Sequence, residues 1–180
     1  MIVIMSDSLV DGLSSLMRGE RRIAAGHVLF RANDPVLSLF LVVSGAFQLV
    51  RILPHGFQLI LQRAGSGAIL AEASLFAARY HCDATASEDS IVRFVPLRRV
   101  RVALRNDRNL ASSLTQHLAR EVHRARAQAE TLLLKTVAER VNAWITLNDG
   151  ALPPRGRWRQ LASEIGVTPE ALYRELARRR

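Results

Sequence analysis

The chain has 180 residues, 49% hydrophobic and 23% charged, with one cysteine and a formal charge of +9. That length holds one large domain or two small ones, no apolar run nears the ~20 residues of a membrane helix, and the opening MIVIMSDSLV lacks a basic segment and a small-residue cleavage site, so no signal peptide and a cytoplasmic location are expected. A single cysteine excludes an intrachain disulfide framework and an iron–sulfur cluster held by several thiolates of one chain. Residues 1–95 carry eight arginines against eight acids, and residues 96–180 carry 17 Arg or Lys against eight acids, so the whole excess lies in the second half. A neutral half joined to a basic half points to a sensor or scaffold attached to an anion-binding module. Nucleic acid is the leading partner and a membrane surface the second; a merely solvated helix face is the bland reading.

The first half reads as short strands separated by turns. HVLFR (27–31) runs into Asn33-Asp34-Pro35, and LSLFLVVS (37–44) into Gly45. AFQLVRI (46–52) and FQLILQRA (57–64) flank Pro54-His55-Gly56, a hairpin signal. IVRFVP (91–96) is a further strand. Strands this short at regular spacing predict an antiparallel barrel or jelly roll.

After Pro96 the period changes. LRRVRVALRND predicts a short helix, and Asp107 is a natural N-cap for a longer one of about 25 residues, ~37 Å in length. Along it Leu118, Val122, Ala125, Ala129 and Leu132 form a coiled-coil seam. The economical partner for that seam is a second copy related by two-fold symmetry; the other reading packs it on the chain's own barrel. TVAERVNAWITLN (136–148) predicts a helix with Val137, Val141, Trp144 and Ile145 on one face, and DGALPPRGR (149–157) a linker.

The chain closes on ASEIGVTPEALYRELARRR. Leu161, Ala162 and Ile165 make a buried face, Gly166 a turn, Val167 a filler between helices, and Leu172 and Leu176 a second buried face. Thr168 is an N-cap and Pro169 a preset first helical residue. Glu170, Tyr173, Arg174 and Arg178 then face outward, the layout of a helix-turn-helix whose second helix enters the major groove. Arg174 suits a bidentate contact to guanine, and Glu170 either accepts from cytosine N4 or holds Arg174 in place. Arg157, Arg159 and the final arginines are candidates for phosphates. The generic alternative is an ordinary αα-hairpin with an arginine-rich exit.

These segments, in this order, resemble the bacterial cyclic-AMP receptor protein/FNR (CRP/FNR) family of transcription regulators. AAGHVLFRANDPVLSLFLVVSGAFQLVR is similar to the family's opening β-roll, AEASLF (71–76) stands where it carries its effector-binding cassette, and LLLKTVAERVNAWI resembles the join to the DNA-binding domain. Glu170 and Arg174 are similar to its recognition-helix pair. The resemblance implies an α+β fold with three parts: a cyclic-nucleotide-binding-like β-roll of jelly-roll type over 1–106, a dimerisation helix over 107–133, and a winged-type helix-turn-helix over 134–180. It further implies a homodimer on palindromic duplex DNA, with RNA polymerase as a partner and no membrane. The family usually continues into a β-wing, whereas this sequence ends at Arg180, about twelve residues into the last helix.

The resemblance weakens at the effector pocket. Glu72, which would hold a ribose hydroxyl, is present. The Arg and Ser of cyclic-nucleotide binders are replaced by Cys82 and Asp83, followed by Ala84, and the purine-bonding positions on the long helix align with Ala125 and Arg126. A phosphate would face Glu72 and Asp83 without an aligned cation, a loss of several kcal/mol; Arg79 or Arg126 would have to supply a displaced one. Cyclic nucleotide binding is therefore not expected, and no cofactor is. His81-Cys82-Asp83 offers metal, haem or thiol chemistry as an alternative, but neighbours on a strand face opposite sides and would not share one ion, and a cysteine beside acids is unreactive. No phosphate loop, metal-ligand repeat or nucleophile motif supports an enzyme. A β-roll sensor or interaction dimer that has lost DNA binding is the other functional class.

Overall fold

The alternation of apolar residues and turns in the first half builds two antiparallel sheets. A computed structural model describes residues 7–53, 58–148 and 150–179. Helix α1 (Asp7–Ser14) precedes β1 (Arg18–Ile23), β2 (Val28–Phe30), β3 (Ser38–Ser44), β4 (Phe47–Ile52), β5 (Gln58–Ala64), β6 (Ile69–Leu70), β7 (Asp83–Ala86) and β8 (Ser90–Pro96). One four-stranded sheet has the order β1-β8-β3-β6 and the other β2-β7-β4-β5. Their inner residues, among them Phe47, Leu39, Val42, Leu70, Val92 and Val95, are fully buried in one core. Burying each such side chain contributes about 1.5–3 kcal/mol against the entropy of ordering it. The turn residues Pro54, His55 and Gly56 lie outside the described residues, but β4 and β5 pair antiparallel from Phe47↔Ala64 to Ile52↔Gln58.

The turn between β3 and β4 needs a glycine. Gly45 has φ 84, and a Cβ there would lie 2.6 Å from Asp89 O and 2.7 Å from Ser90 Cα. The buried Ser90 hydroxyl closes the same corner, accepting from Ala46 N at 3.1 Å and donating to Glu88 O at 2.7 Å.

Helix α2 (Leu97–Asn106) continues from β8, and α3 (Arg108–Leu133) follows it. Asp107 begins α3 as its cap, Oδ1 accepting from Asn109 N and Leu110 N. Leu110 and Leu114 of α3 join the β-roll core with Leu97 and Val100 of α2 and Leu9 and Leu13 of α1. The chain divides into two units, Met1–Leu118 and Ala119–Arg180, so α3 contributes to both.

The second unit holds the end of α3, then α4 (Val137–Leu147), a 3₁₀ turn Arg155–Arg157, α5 (Trp158–Glu164) and α6 (Pro169–Ala177). A capping box starts α4: Thr136 Oγ1 accepts from Glu139 N, and the Glu139 carboxylate accepts from Thr136 N at 2.9 Å. Those bonds hold the Glu139 carboxyl below the usual carboxylate range. Val141, Leu161, Ala162, Ile165, Leu172 and Leu176 are buried together, with Trp144, Ile145, Trp158 and Val167 packed around them.

Candidate nucleic-acid interface and effector cleft

Local chemistry fixes how α6 is presented. Gly166 turns the chain with φ 65, Thr168 Oγ1 caps α6 by accepting from Ala171 N at 3.2 Å, and Pro169 occupies its first turn. Leu172 and Leu176 face the core, which leaves Glu170, Tyr173, Arg174 and Arg178 exposed on the other side. Glu170 and Arg174 form no ion pair with each other, whereas Arg124 pairs with Glu121 and Arg179 with Glu175. The reading in which Glu170 holds Arg174 in place is thus not the arrangement seen, and both heads point to solvent. Arg157 and Arg159 are exposed in the same unit, near the start of α5.

Arg179 corrects the expectation for the final arginines. Its Nε donates to Glu175 Oε1 at 2.7 Å, its Nη1 to Asn142 Oδ1 at 2.8 Å and its Nη2 to Ala138 O at 3.0 Å. It fastens α6 to α4 and has little left for a phosphate. Two residues that sequence reasoning passed over flank the exposed face instead. The Trp158 and Tyr173 rings lie 5.7 Å apart, and the Arg155 guanidinium sits 5.3 Å over Trp158. With Leu176 and Ala177 they line a cleft of about 340 Å³. The signal available was the pairing of an aromatic on α5 with one on α6, each beside arginines.

The seam residues of α3 divide. Leu118 is half-buried against the β-roll core. Val122 is 48% exposed and Leu132 43% exposed, and Ala125 and Ala129 are exposed between them. A single chain leaves this stripe uncovered over residues 122–132.

In the first unit, a 3₁₀ turn Glu72–Ser74 follows Ala71, whose φ of 73 is left-handed. Glu72 and Cys82 are buried and, with Ser74, His81, Phe30 and Leu49, line a cavity of about 30 Å³. His81 Nδ1 lies 3.1 Å from Ser74 Oγ. Two expectations need correction here. His81 and Cys82 share the cleft because β7 begins only at Asp83, so strand alternation does not separate them. Asp83 does not line the cleft: its Oδ1 accepts from Ala32 N at 2.6 Å, tying β7 to the end of β2.

A cation beside the cleft is one the sequence did not single out. Val50 of β4 pairs with Asp83, and the next residue, Arg51, donates from Nη2 to His81 O at 3.4 Å. Arg79 is occupied elsewhere, donating to Asn33 O at 2.6 Å. Ala125 and Arg126 are exposed on the part of α3 that belongs to the second unit. Burial pushes the Cys82 thiol up to about 11, Arg51 offsetting this only in part. Burial, reinforced by Arg51, pulls His81 below its ordinary value. Among the described residues no three His, Cys, Asp or Glu side chains gather to hold a metal ion.

Residues 20–107 match the Cyclic nucleotide-binding domain family. No curated protein matches the chain. Among solved structures, FixK2 from Bradyrhizobium japonicum superposes with a TM-score of 0.73 at 23% identity, over 89% of this chain and 83% of that one. A CRP-family transcriptional regulator from Thermus thermophilus gives 0.62 at 18% identity, over 88% and 83%. The Catabolite Activator Protein of the same organism gives 0.58 at 25% identity, over 94% and 81%. The chain therefore has the CRP/FNR-type regulator fold: an antiparallel jelly roll, a long helix and C-terminal helices.

The cleft in residues 20–107 has a volume of about 30 Å³, below the roughly 300–1,000 Å³ of ordinary small-molecule sites. At the position where the family resemblance calls for a phosphate-binding arginine stands a buried thiol that stays neutral at physiological pH.

Proposed function

We propose that this chain is a dimeric, sequence-specific DNA-binding transcription regulator whose β-roll does not take cyclic nucleotides. The observation that carries the reading is the outer face of α6, where Glu170, Tyr173, Arg174 and Arg178 are exposed over the buried Leu172 and Leu176. A helix held by its apolar side, capped at its N-terminus and bare on its polar side suits the major groove. Arg174 reads a guanine, Glu170 a cytosine, and Arg157, Arg159, Arg178 and the Thr168 hydroxyl contact the backbone. The uncovered stripe Val122–Ala125–Ala129–Leu132, continuing from Leu118, joins two copies through residues 107–133. Residues 1–106 form the sensor-type roll and 134–180 the DNA reader. Two-fold symmetry then sets two half-sites about 34 Å apart.

The protein works as a regulator rather than an enzyme, in the cytoplasm, with duplex DNA, its own second copy and RNA polymerase as partners and without a resident cofactor. Among the described residues no helix is long and apolar enough to cross a membrane. The small cleft and the neutral Cys82 support a roll that is silent to cyclic nucleotides.

Selection of bound sites from random duplex DNA tests the main reading, with a palindrome containing a G·C-dependent half-site as the expected product. Recovery of no enriched sequence, at low salt and with the intact dimer, would refute it. Calorimetry with cyclic AMP tests the roll: a dissociation constant of about 10 µM or tighter, roughly −7 kcal/mol, is incompatible with a site lacking its phosphate anchor.

A further inference from the structure

Arg140, on the first turn of α4, makes four hydrogen bonds to backbone carbonyls from two places in the chain. Its Nε donates to Leu134 O at 2.9 Å and its Nη2 to Leu132 O at 3.0 Å, both at the end of α3. Its Nη1 donates to Ile165 O and Gly166 O, each at 3.0 Å, in the turn between α5 and α6. Four of the five guanidinium N–H groups are thereby used. Among the described residues no carboxylate pairs with it.

The electrostatics favour this arrangement. The last carbonyls of a helix have no intrahelical partner and carry the negative end of its dipole. Arg140 receives the C-terminal carbonyls of α3 on one side and those following α5 on the other, so one cation serves two helix ends. Gly166 allows close approach: a Cβ there would lie 2.5 Å from Leu132 Cδ2 and 3.3 Å from Arg140 Nη1. Leu132 thus packs on the turn as well as standing in the α3 stripe.

We propose that Arg140 is a positioning residue that locks the end of α3 to the turn before the recognition helix, so that the geometry of the α3 pairing is passed to the spacing of the two recognition helices on DNA. The inference rests on the proposed dimeric DNA reader. Residues 119–133 of α3, Arg140 and α6 belong to one unit, so the coupling runs inside a single body. A dimer seam fixes half-site spacing only if the path from seam to reader is stiff. Arginine is needed because its planar fork spans carbonyls on both sides, whereas a lysine ammonium presents its donors from one point.

The test uses the full chain and a series of selected palindromes with base pairs inserted between the half-sites. The wild type is expected to lose on the order of tenfold in affinity per inserted base pair, and Arg140→Lys, with helix content retained by circular dichroism, to lose no more than about threefold. An Arg140→Lys protein with the wild-type spacing penalty overturns the inference. A second arm needs neither DNA nor the DNA-binding reading. Spin labels at Gln128 and Ala177, in a Cys82→Ser background diluted with unlabelled chain, report the distance from α3 to α6. A narrow distribution that broadens in Arg140→Lys supports the lock; an unchanged width overturns it. If the wild type binds no duplex while the distribution still broadens, the lock stands and the DNA-binding reading alone has failed.

Discussion

Arg179 and Arg174 lie five residues apart and should fail in opposite ways. Arg179 donates to Glu175, Asn142 and Ala138 O, joining α6 to α4. Hydrogen bonds to a charged group are worth about 1.5–3 kcal/mol when buried. The pair with Glu175 is partly solvated, with side chains 27% and 15% exposed, and is discounted for screening. The three bonds also share one side chain and do not add. Arg179→Ala should therefore cost about 1–3 kcal/mol of stability in the second unit. The chain's two tryptophans, Trp144 and Trp158, both lie in that unit, so urea unfolding followed by tryptophan fluorescence reads it alone. Arg174 has an exposed head without an ion-pair partner. Arg174→Ala should leave the urea midpoint nearly unchanged, cost about 1–3 kcal/mol on the preferred duplex, and flatten preference at one G·C pair. An Arg179→Ala protein of wild-type stability whose DNA affinity loses about one unit of salt slope would show a phosphate contact instead, and the assignment would be wrong.

Val122→Glu should convert a dimer to a monomer in sedimentation at micromolar concentration, because the substituted carboxylate would be buried in the seam; an unchanged dimer would remove α3 as the interface. Gly45 and Gly67 form a matched pair, with φ 84 and 83, and only Gly45 has backbone atoms in the way of a Cβ. Gly67→Ala should cost about 1–2 kcal/mol for the left-handed backbone alone, and Gly45→Ala about 1–3 kcal/mol more for overpacking; equal losses in thermal unfolding would contradict the packing argument. The Cys82 thiol, raised to about 11, should label at least about 100-fold more slowly in the native chain than in urea at pH 8. Because its folded value lies above the unfolded one, its contribution to stability is complete below the unfolded value near 9 and is lost as pH rises through about 11. A flat stability profile over that window in the wild type, matching Cys82→Ala, would show that the thiol is not held neutral by the fold.

Legibility followed the size of the local signal. The strands over 37–44, 46–52, 57–64 and 91–96 carry large apolar residues and were readable, as were the cap at Asp107 and the turn at Gly166. Strand β1 was not, because RGERRI buries only Ile23. It is an edge strand, and exposed charges there guard an unpaired edge rather than mark a loop. Strand β7 reads DATA; its inward residues Ala84 and Ala86 are fully buried but too small to mark a strand. Reading His81 and Cys82 as strand neighbours placed the start of β7 too early, and from that came the opposite-face argument; the pocket position of Asp83 came from the family resemblance. Arg51 could not be found without the β4–β7 register. Arg140 could not be singled out, since a guanidinium bonded to backbone carbonyls has no complementary residue type to reveal it in sequence, and Arg179 read as a phosphate contact because its partner Asn142 lies 37 residues away.

The buried thiol at position 82 suits a roll with so small a cleft. The side chain there is 2% exposed. An arginine at so buried a place needs an anion beside it, and leaving its charge uncompensated costs several kcal/mol. Cysteine removes the obligation: its thiol is neutral up to about 11, small, and among the side chains most readily buried. Arg51 is exposed and donates to His81 O. With a neutral thiol at Cys82, the side chains of Glu72, Ser74, His81 and Cys82 line a space of about 30 Å³. The orientation of α6 within its own unit depends on contacts such as those of Arg140 and Arg179.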